Sequence, residues 1–415
     1  MYSSYMNTFL VVILIILVGF YLLDVIVEWL NLNQVKTTVP QEFEDVYDVK
    51  KYKQSQLYLK DKTLFGLIQQ TVMLVLTLGF IFFGGFDVID LWVRQFAFDA
   101  IVTGVCYMLT LGVLMMLIGL PFSYYFTFVI EEKYQFNKST KQLFFVDTLK
   151  SLFLSMVIGV PVLYSILWFF EFTGEIGWLL VWGFIAIVQL VLVYIAPTLI
   201  MPLFNKFEPL AQGELKTAIE SYAKKYNFGL KGVFTMDGSK RSSKSNAYFT
   251  GFGKQRRIVL FDTLISKQSV DELVVILAHE MGHFKKGHIH KTLVISMMST
   301  GLMLYLFSMF INNADLAAAF SMTHVSLYSS LVFFGFLYQP ISFVLGVFSH
   351  VLSRKHEFEA DRFAVETTNN PDAMITALKK LSVDNLSNLT PHWLKVFLEY
   401  SHPPVLKRID HIRSL

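Results

Sequence analysis

Apolar positions along this chain collect into seven long blocks, at about 7–30, 64–86, 100–127, 149–171, 177–204, 292–312 and 325–350. A helix that crosses the ~30 Å hydrocarbon core of a bilayer needs roughly 20 apolar residues. The pattern therefore predicts seven transmembrane helices. Polarity returns over 205–291, where 214–226 reads as an amphipathic helix and 232–236 and 257–261 as short strands. A third strand is expected at 246–250, with Gly251 and Gly253 suited to a hairpin turn. The last part of this block, from about 271, reads as a helix that runs almost directly into the sixth span. The division expected is 1–204 (five spans with their loops), 205–291 (a soluble block), 292–350 (two spans) and 351–415 (a second soluble block). The fold class is an all-α dominated polytopic membrane protein with a small cytosolic domain containing a short β-sheet or hairpin.

Charge in the short loops sets an orientation. Lys36, Lys50, Lys51, Lys53, Lys60 and Lys62 precede the second span, Lys133, Lys138 and Lys141 follow the third, and Arg354 and Lys355 follow the seventh. The intervening loops carry mostly acidic residues. The positive-inside rule then predicts an outer or lumenal N-terminus and a cytosolic C-terminus, with both soluble blocks in the cytosol. The first apolar block has no Lys or Arg before it and no small-residue cleavage site after it, so it is expected to be retained.

Composition agrees with the hydropathy. The 415 residues are 54% hydrophobic and 16% aromatic but only 16% charged, against about 25% charge in a soluble domain, and the mean hydropathy is +0.50. The lipid bilayer is thus an obligate partner. A net charge of +3 with no long basic run argues against a nucleic-acid partner. The single cysteine, Cys106, excludes an intramolecular disulfide and a zinc cluster built on cysteines.

The chemistry gathers at 273–290, LVVILAHEMGHFKKGHIH, which contains H-E-x-x-H as His279, Glu280 and His283. On a helix, positions i and i+4 share a face, so both imidazoles can reach one metal ion, with Glu280 beside them to take a proton from a water. Catalytic zinc commonly has three protein ligands. The third is expected just after the seventh span, in SRKHEFEADRFAVE, which offers His356, Glu357, Glu359 and Asp361. Glu357 and Asp361 share a helix face, so one can bind metal while the other supports the site. Spacing favours Glu357 over Glu359, which is read as a solvent-facing neighbour. His288 and His290, beside Lys285 and Lys286, read as a solvated interfacial turn rather than as ligands.

The stretches GSKRSSKSNAYFTGFG, RRIVLFDTLI, HEMGH, SRKHEFEADRFA and SHPP resemble the type I CAAX prenyl proteases, as do VPQEF, SQLYLKDKTLFGLI and KYQFNKSTKQLFFVDTLK nearer the N-terminus. The resemblance implies a zinc-dependent membrane endopeptidase with one Zn2+ per chain and seven helices around a large chamber. His279, His283 and Glu357 would bind the metal, Glu280 would act as general base, and Asp361 would support the ligands. Asn246, Ala247 and Tyr248 would line the substrate path as an edge strand. His402 and Arg408 would face the scissile carbonyl. The implied substrate is a peptide or protein cut after an isoprenylated cysteine, in a bacterial inner membrane or an endoplasmic reticulum membrane.

Two other functions use the same residues. A quality-control protease of the membrane would need no prenyl group on its substrate. A transporter or channel with a structural zinc clamp would need charged groups in mid-span, and the predicted spans carry none at their centres.

Overall fold

Each apolar block folds as a helix, and most begin at a side chain that satisfies free backbone N–H groups. The structure is a computed structural model that describes residues 7–36, 38–250 and 256–415. Helix α1 (Thr8–Asn33) is capped by Asn7, α2 (Val49–Phe82) by Asp48, and α4 (Ala100–Tyr125) by Asp99, each through its side-chain oxygen. Between them, α3 (Gly85–Arg94) is a short helix after Gly84. Thr140 caps α5 (Lys141–Thr173), and α6 (Gly177–Ile195) follows a break at Gly174, whose φ of 60° ends α5. Later come α10 (His288–Ser308), the short α11 (Ala314–Ala319) and α12 (Leu327–Thr368).

Six helical stretches among the described residues are long and apolar enough to cross a membrane. The longest of them, Lys141–Leu203, has 63 residues and contains the break at Gly174. Large side chains such as Ile15, Phe83, Phe153 and Ile187 stay exposed on these helices, the surface a lipid-facing bundle presents. One boundary differs widely from the hydropathy reading. Residues 49–62, expected in a loop, form the first turns of α2, because a lysine-rich segment without Gly or Pro is helix-competent even where it is too polar for lipid.

The soluble residues form one layer built around α9 (Val270–Lys285), whose Leu273, Val275, Leu277, Ala278 and Met281 are buried. Sharing this core are α7 (Glu214–Lys225), α8 (Asp262–Ile265), a four-stranded sheet, α13 (Pro371–Asp384) and α15 (Val405–Arg413). Phe43, Tyr47 and Tyr52 from the segment around the start of α2 enter the same core. The sheet runs β1 (Phe207–Pro209), β2 (Gly232–Met236), β4 (Arg257–Phe261), β3 (Ala247–Thr250). β2 and β4 are parallel, and the two outer pairs are antiparallel. β1, three residues ending in a proline, gave no strand signal in the sequence. The hairpin glycines Gly251 and Gly253 lie outside the described residues.

The contact that builds the site is the crossing of α9 and α12. A Cβ on Gly282 would lie 3.1 Å from the Ala360 Cα and 3.2 Å from the Ala360 carbonyl oxygen. Only glycine lets the two backbones approach this closely.

Candidate active site

Ser269 starts α9 with a capping box: its side chain accepts from the Glu272 N–H, and Glu272 accepts from the Ser269 N–H. Ten residues on, His279 and His283 leave the same face, and their Nε2 atoms lie 3.1 Å apart. Across the Gly282 contact, Glu357 of α12 sits 3.4 Å from His279 Nε2 and 3.2 Å from His283 Nε2. Donor atoms of His279, His283 and Glu357 all fall within 4.8 Å of one another. Glu359 is turned elsewhere, so the structure brings together the three residues that spacing favoured.

Two features of this cluster fit a cation. Two imidazole nitrogens facing each other can share at most one proton, whereas an ion accepts both lone pairs. Glu357 Oε2 is buried and makes no hydrogen bond, its contacts being longer ion pairs to Arg408 at 3.3 Å and His279 at 3.4 Å, which leaves lone pairs for a cation. Burial pushes the His279 ring toward neutrality, but its bonds to Asp361 and Glu357 outweigh that and hold its pKa up, at about 9. Those two carboxylates set the negative field a metal ion would meet in place of the proton.

Asp361 takes His279 Nδ1 at 2.9 Å, an arrangement that fixes ring orientation and tautomer in metal sites. Arg408, from α15, donates to both Asp361 oxygens, Nε at 2.8 Å and Nη2 at 2.6 Å, and places Nη1 3.3 Å from Glu357. Its side chain is nearly buried, behind the ligands. His402, on the loop before α15, is largely exposed with Nε2 3.4 Å from Glu357 Oε1. Arg354, one helical turn before Phe358, donates to the carbonyls of Val396 and Tyr400 and so ties down the end of α14 (Trp393–Glu399), from which the His402 loop departs.

Glu280, Tyr248 and Phe249 share the lining of a cavity of about 480 Å3 beside His283. β3 is an edge strand, and Asn246 is exposed just before it, its carbonyl accepting from the Phe261 N–H. Burial pushes the Tyr248 hydroxyl well above the ordinary tyrosine range.

The solvated turn expected at His288 is not observed. Gly287, at a φ of 69°, reverses the chain and returns His288 against the cluster, where it is 3% exposed. Its Nδ1 lies 3.0 Å from His283 Nδ1 and its Nε2 3.0 Å from Glu359. Glu359, expected to face solvent alone, is therefore half-buried against a histidine. Neither contact has a spacing signature. A glycine before H-I-H was the only trace of the reversal.

A family model described as peptidase family M48 matches residues 209–415, and one described as CAAX prenyl protease N-terminal, five membrane helices, matches 28–206. The chain belongs to peptidase family M48. Among M48 relatives, it is 35% identical to a CAAX prenyl protease 1 homolog of Mus musculus, over 92% of this chain and 90% of the relative. It is also 35% identical to CAAX prenyl protease 1 of Saccharomyces cerevisiae, over 90% and 88%. The crystal structure of S. mikatae Ste24p matches with a TM-score of 0.93 at 31% identity, covering 97% of this chain and 99% of that one. This M48 member is thus a membrane-integral metallopeptidase of the CAAX prenyl protease type, acting on peptide or protein substrates, and the transporter reading falls.

Proposed function

We propose that this chain is a zinc endopeptidase that removes residues following an isoprenylated cysteine at the C-terminus of its substrate. The carrying observation is the convergence of His279, His283 and Glu357 beside Glu280 and the edge strand β3. One Zn2+ held by His279, His283 and Glu357 would supply a Lewis acid to polarise the scissile carbonyl and acidify water. Glu280 accepts the water's proton and delivers it to the leaving amine. Asp361 keeps the His279 Nδ1 proton engaged, so that Nε2 stays directed at the cluster. Arg408 holds Asp361 in place and balances its charge. His402, the most open of these groups, is the donor for the oxyanion that develops. The substrate main chain pairs with β3, where Asn246, Ala247 and Tyr248 meet it as an added strand.

The same reading covers the membrane part. A helix of 63 residues would extend roughly 95 Å, far more than a bilayer needs, which supports counting Lys141–Leu203 as two spans turned at Gly174 and the whole chain as seven. An open cavity of about 840 Å3 lined by Met108, Met116, Ser123, Asp147, Arg241 and Lys244 supports a chamber between the helices. The alternation of basic loops supports a lumenal or outer N-terminus with the site on the cytosolic side. The four-part division at 204/205, 291/292 and 350/351 follows from those boundaries.

The test is cleavage of a farnesylated C-terminal peptide by purified protein, beside the unprenylated peptide, with metal content read on the same samples. Glu280→Gln should lower cleavage by about 10²–10⁴-fold and leave zinc bound. Equal cleavage of both peptides would replace the prenyl-directed reading with quality control. Loss of zinc in Glu280→Gln would make Glu280 part of the metal site rather than the base.

A further inference from the structure

His288 is absent from the metal motif, yet its ring is gripped on three sides. One edge meets His283, Nδ1 to Nδ1 at 3.0 Å, and the other meets Glu359 through Nε2 at 3.0 Å. One face stacks on the His356 ring, centroids 3.9 Å apart and planes 10° from parallel. With 3% of the residue exposed, position, plane and in-plane rotation are all set by the fold.

Hydrogen-bond roles follow from this geometry. A neutral imidazole carries one N–H and one lone pair, and an ionised carboxylate only accepts. Facing Glu359, His288 therefore carries its proton on Nε2 and keeps the lone pair on Nδ1. His283 must then donate from its own Nδ1, which leaves the His283 lone pair on Nε2. That nitrogen is the one directed at Glu357 and His279. The opposite assignment would put a proton on His283 Nε2 and point it into the cluster.

We propose that His288 and Glu359 are positioning residues for His283, fixing the tautomer and rotation in which it binds metal; this rests on the reading of His279, His283 and Glu357 as a metal site. The two histidines are then held by different means. His279 is oriented by a carboxylate in direct contact, Asp361, and His283 by a carboxylate acting through an intervening imidazole. Gly287 is the device that makes this possible, since the reversal it allows brings a residue five positions downstream back onto the ligand it follows.

The full chain in detergent tests this, with zinc affinity measured by chelator competition and the visible spectrum recorded after Co2+ substitution. Wild type, His288→Ala, His288→Gln and Glu359→Gln are compared, each with its metal-free unfolding midpoint. His288→Ala should bind zinc about 10–100-fold more weakly, the range for removing such an outer partner, with a shifted Co2+ spectrum. His288→Gln, whose amide oxygen can still accept from His283 Nδ1, should recover much of that affinity. Glu359→Gln should lose less than His288→Ala, with its metal-free midpoint unchanged. Wild-type zinc affinity in His288→Ala overturns the proposal and leaves the metal site standing. Equal losses in the Ala and Gln variants, tracking a lowered metal-free midpoint, overturn it in favour of packing alone. A wild-type chain that binds no zinc overturns the metal-site reading itself, and this proposal with it.

Discussion

Among the described residues two buried aspartates each pair with an arginine, and the two pairs do different things. Asp90 and Asp361 are both fully buried. Asp90 pairs with Arg94 at 2.8 Å, and Tyr328 closes the triangle, accepting from Arg94 and donating to Asp90. Asp361 pairs bidentately with Arg408. Tyr328 and Glu357 lie on the same helix, 29 residues apart, which at 1.5 Å per residue separates the two groups by roughly 44 Å. The first set balances: one negative charge, one positive charge, and a hydroxyl that both accepts and donates. A loose group nearby, the buried Tyr107 hydroxyl, is neutral. The second set balances only through an exchangeable proton. Asp361 and Glu357 face a single arginine and the titratable His279 ring, and Glu357 Oε2 is left without a hydrogen bond. A buried ion pair that is complete in itself holds helices together, while one whose balance rests on a proton can take a metal cation in that proton's place.

The widest separation between the two should come from removing one acid at each. Glu357→Ala should abolish zinc binding and cleavage, while the unfolding midpoint of the metal-free protein falls only modestly, because the His279 ring can release its proton once its carboxylate partner is gone. A metal-free midpoint that drops sharply would make Glu357 a structural partner and erase the contrast. Asp90→Ala should do the reverse, costing about 1–3 kcal/mol because the buried Tyr328 hydroxyl loses its acceptor while the partly exposed Arg94 can turn to water, with zinc stoichiometry intact in the protein that remains folded. Loss of zinc at full stability would break the comparison from the other side. A smaller change probes the frame around the second pair. Gly282→Ala puts a Cβ 3.1 Å from the Ala360 backbone, and overpacking of this kind costs about 1–3 kcal/mol. It should weaken zinc binding together with stability, since α9 and α12 move apart as units. Unchanged affinity would show that the cluster tolerates a looser crossing.

The pairing of His279 and His283 on α9 was legible because a four-residue spacing needs only a helix to become a geometry. Glu357 was narrower than a guess, because Asp361 sits one turn away and both share a face. Which acid turned inward depended on the α9–α12 crossing, and the crossing depended on Gly282, whose role is invisible without its neighbour Ala360. Spans were readable from hydropathy, but helix ends were not. α2 starts at Val49 rather than at 64, since hydropathy marks where lipid stops and not where hydrogen bonding stops. His288 was misread because polarity predicts solvent for a basic, histidine-rich stretch. Three tertiary partners from two helices override that prior.

Helix α12 has mechanical consequences as a lever. It runs unbroken for 42 residues, with Pro340 inside it, from Tyr328 through an outward-facing apolar stretch at Val344 and Phe348 to Glu357 and Asp361. Bilayers of different thickness change the tilt of such helices. Its close backbone crossing with α9 at Ala360 serves as the fulcrum. A tilt change of about 5° would swing the Tyr328 end, roughly 48 Å away, by ~4 Å, and would move Glu357, roughly 4.5 Å away, by only ~0.4 Å. By placing the fulcrum beside the His279, His283 and Glu357 cluster, the fold passes a change of tilt to the helices joined to Tyr328 and keeps the short arm nearly still. Near-equal cleavage rates in short-chain and long-chain lipid are the outcome this leverage sets.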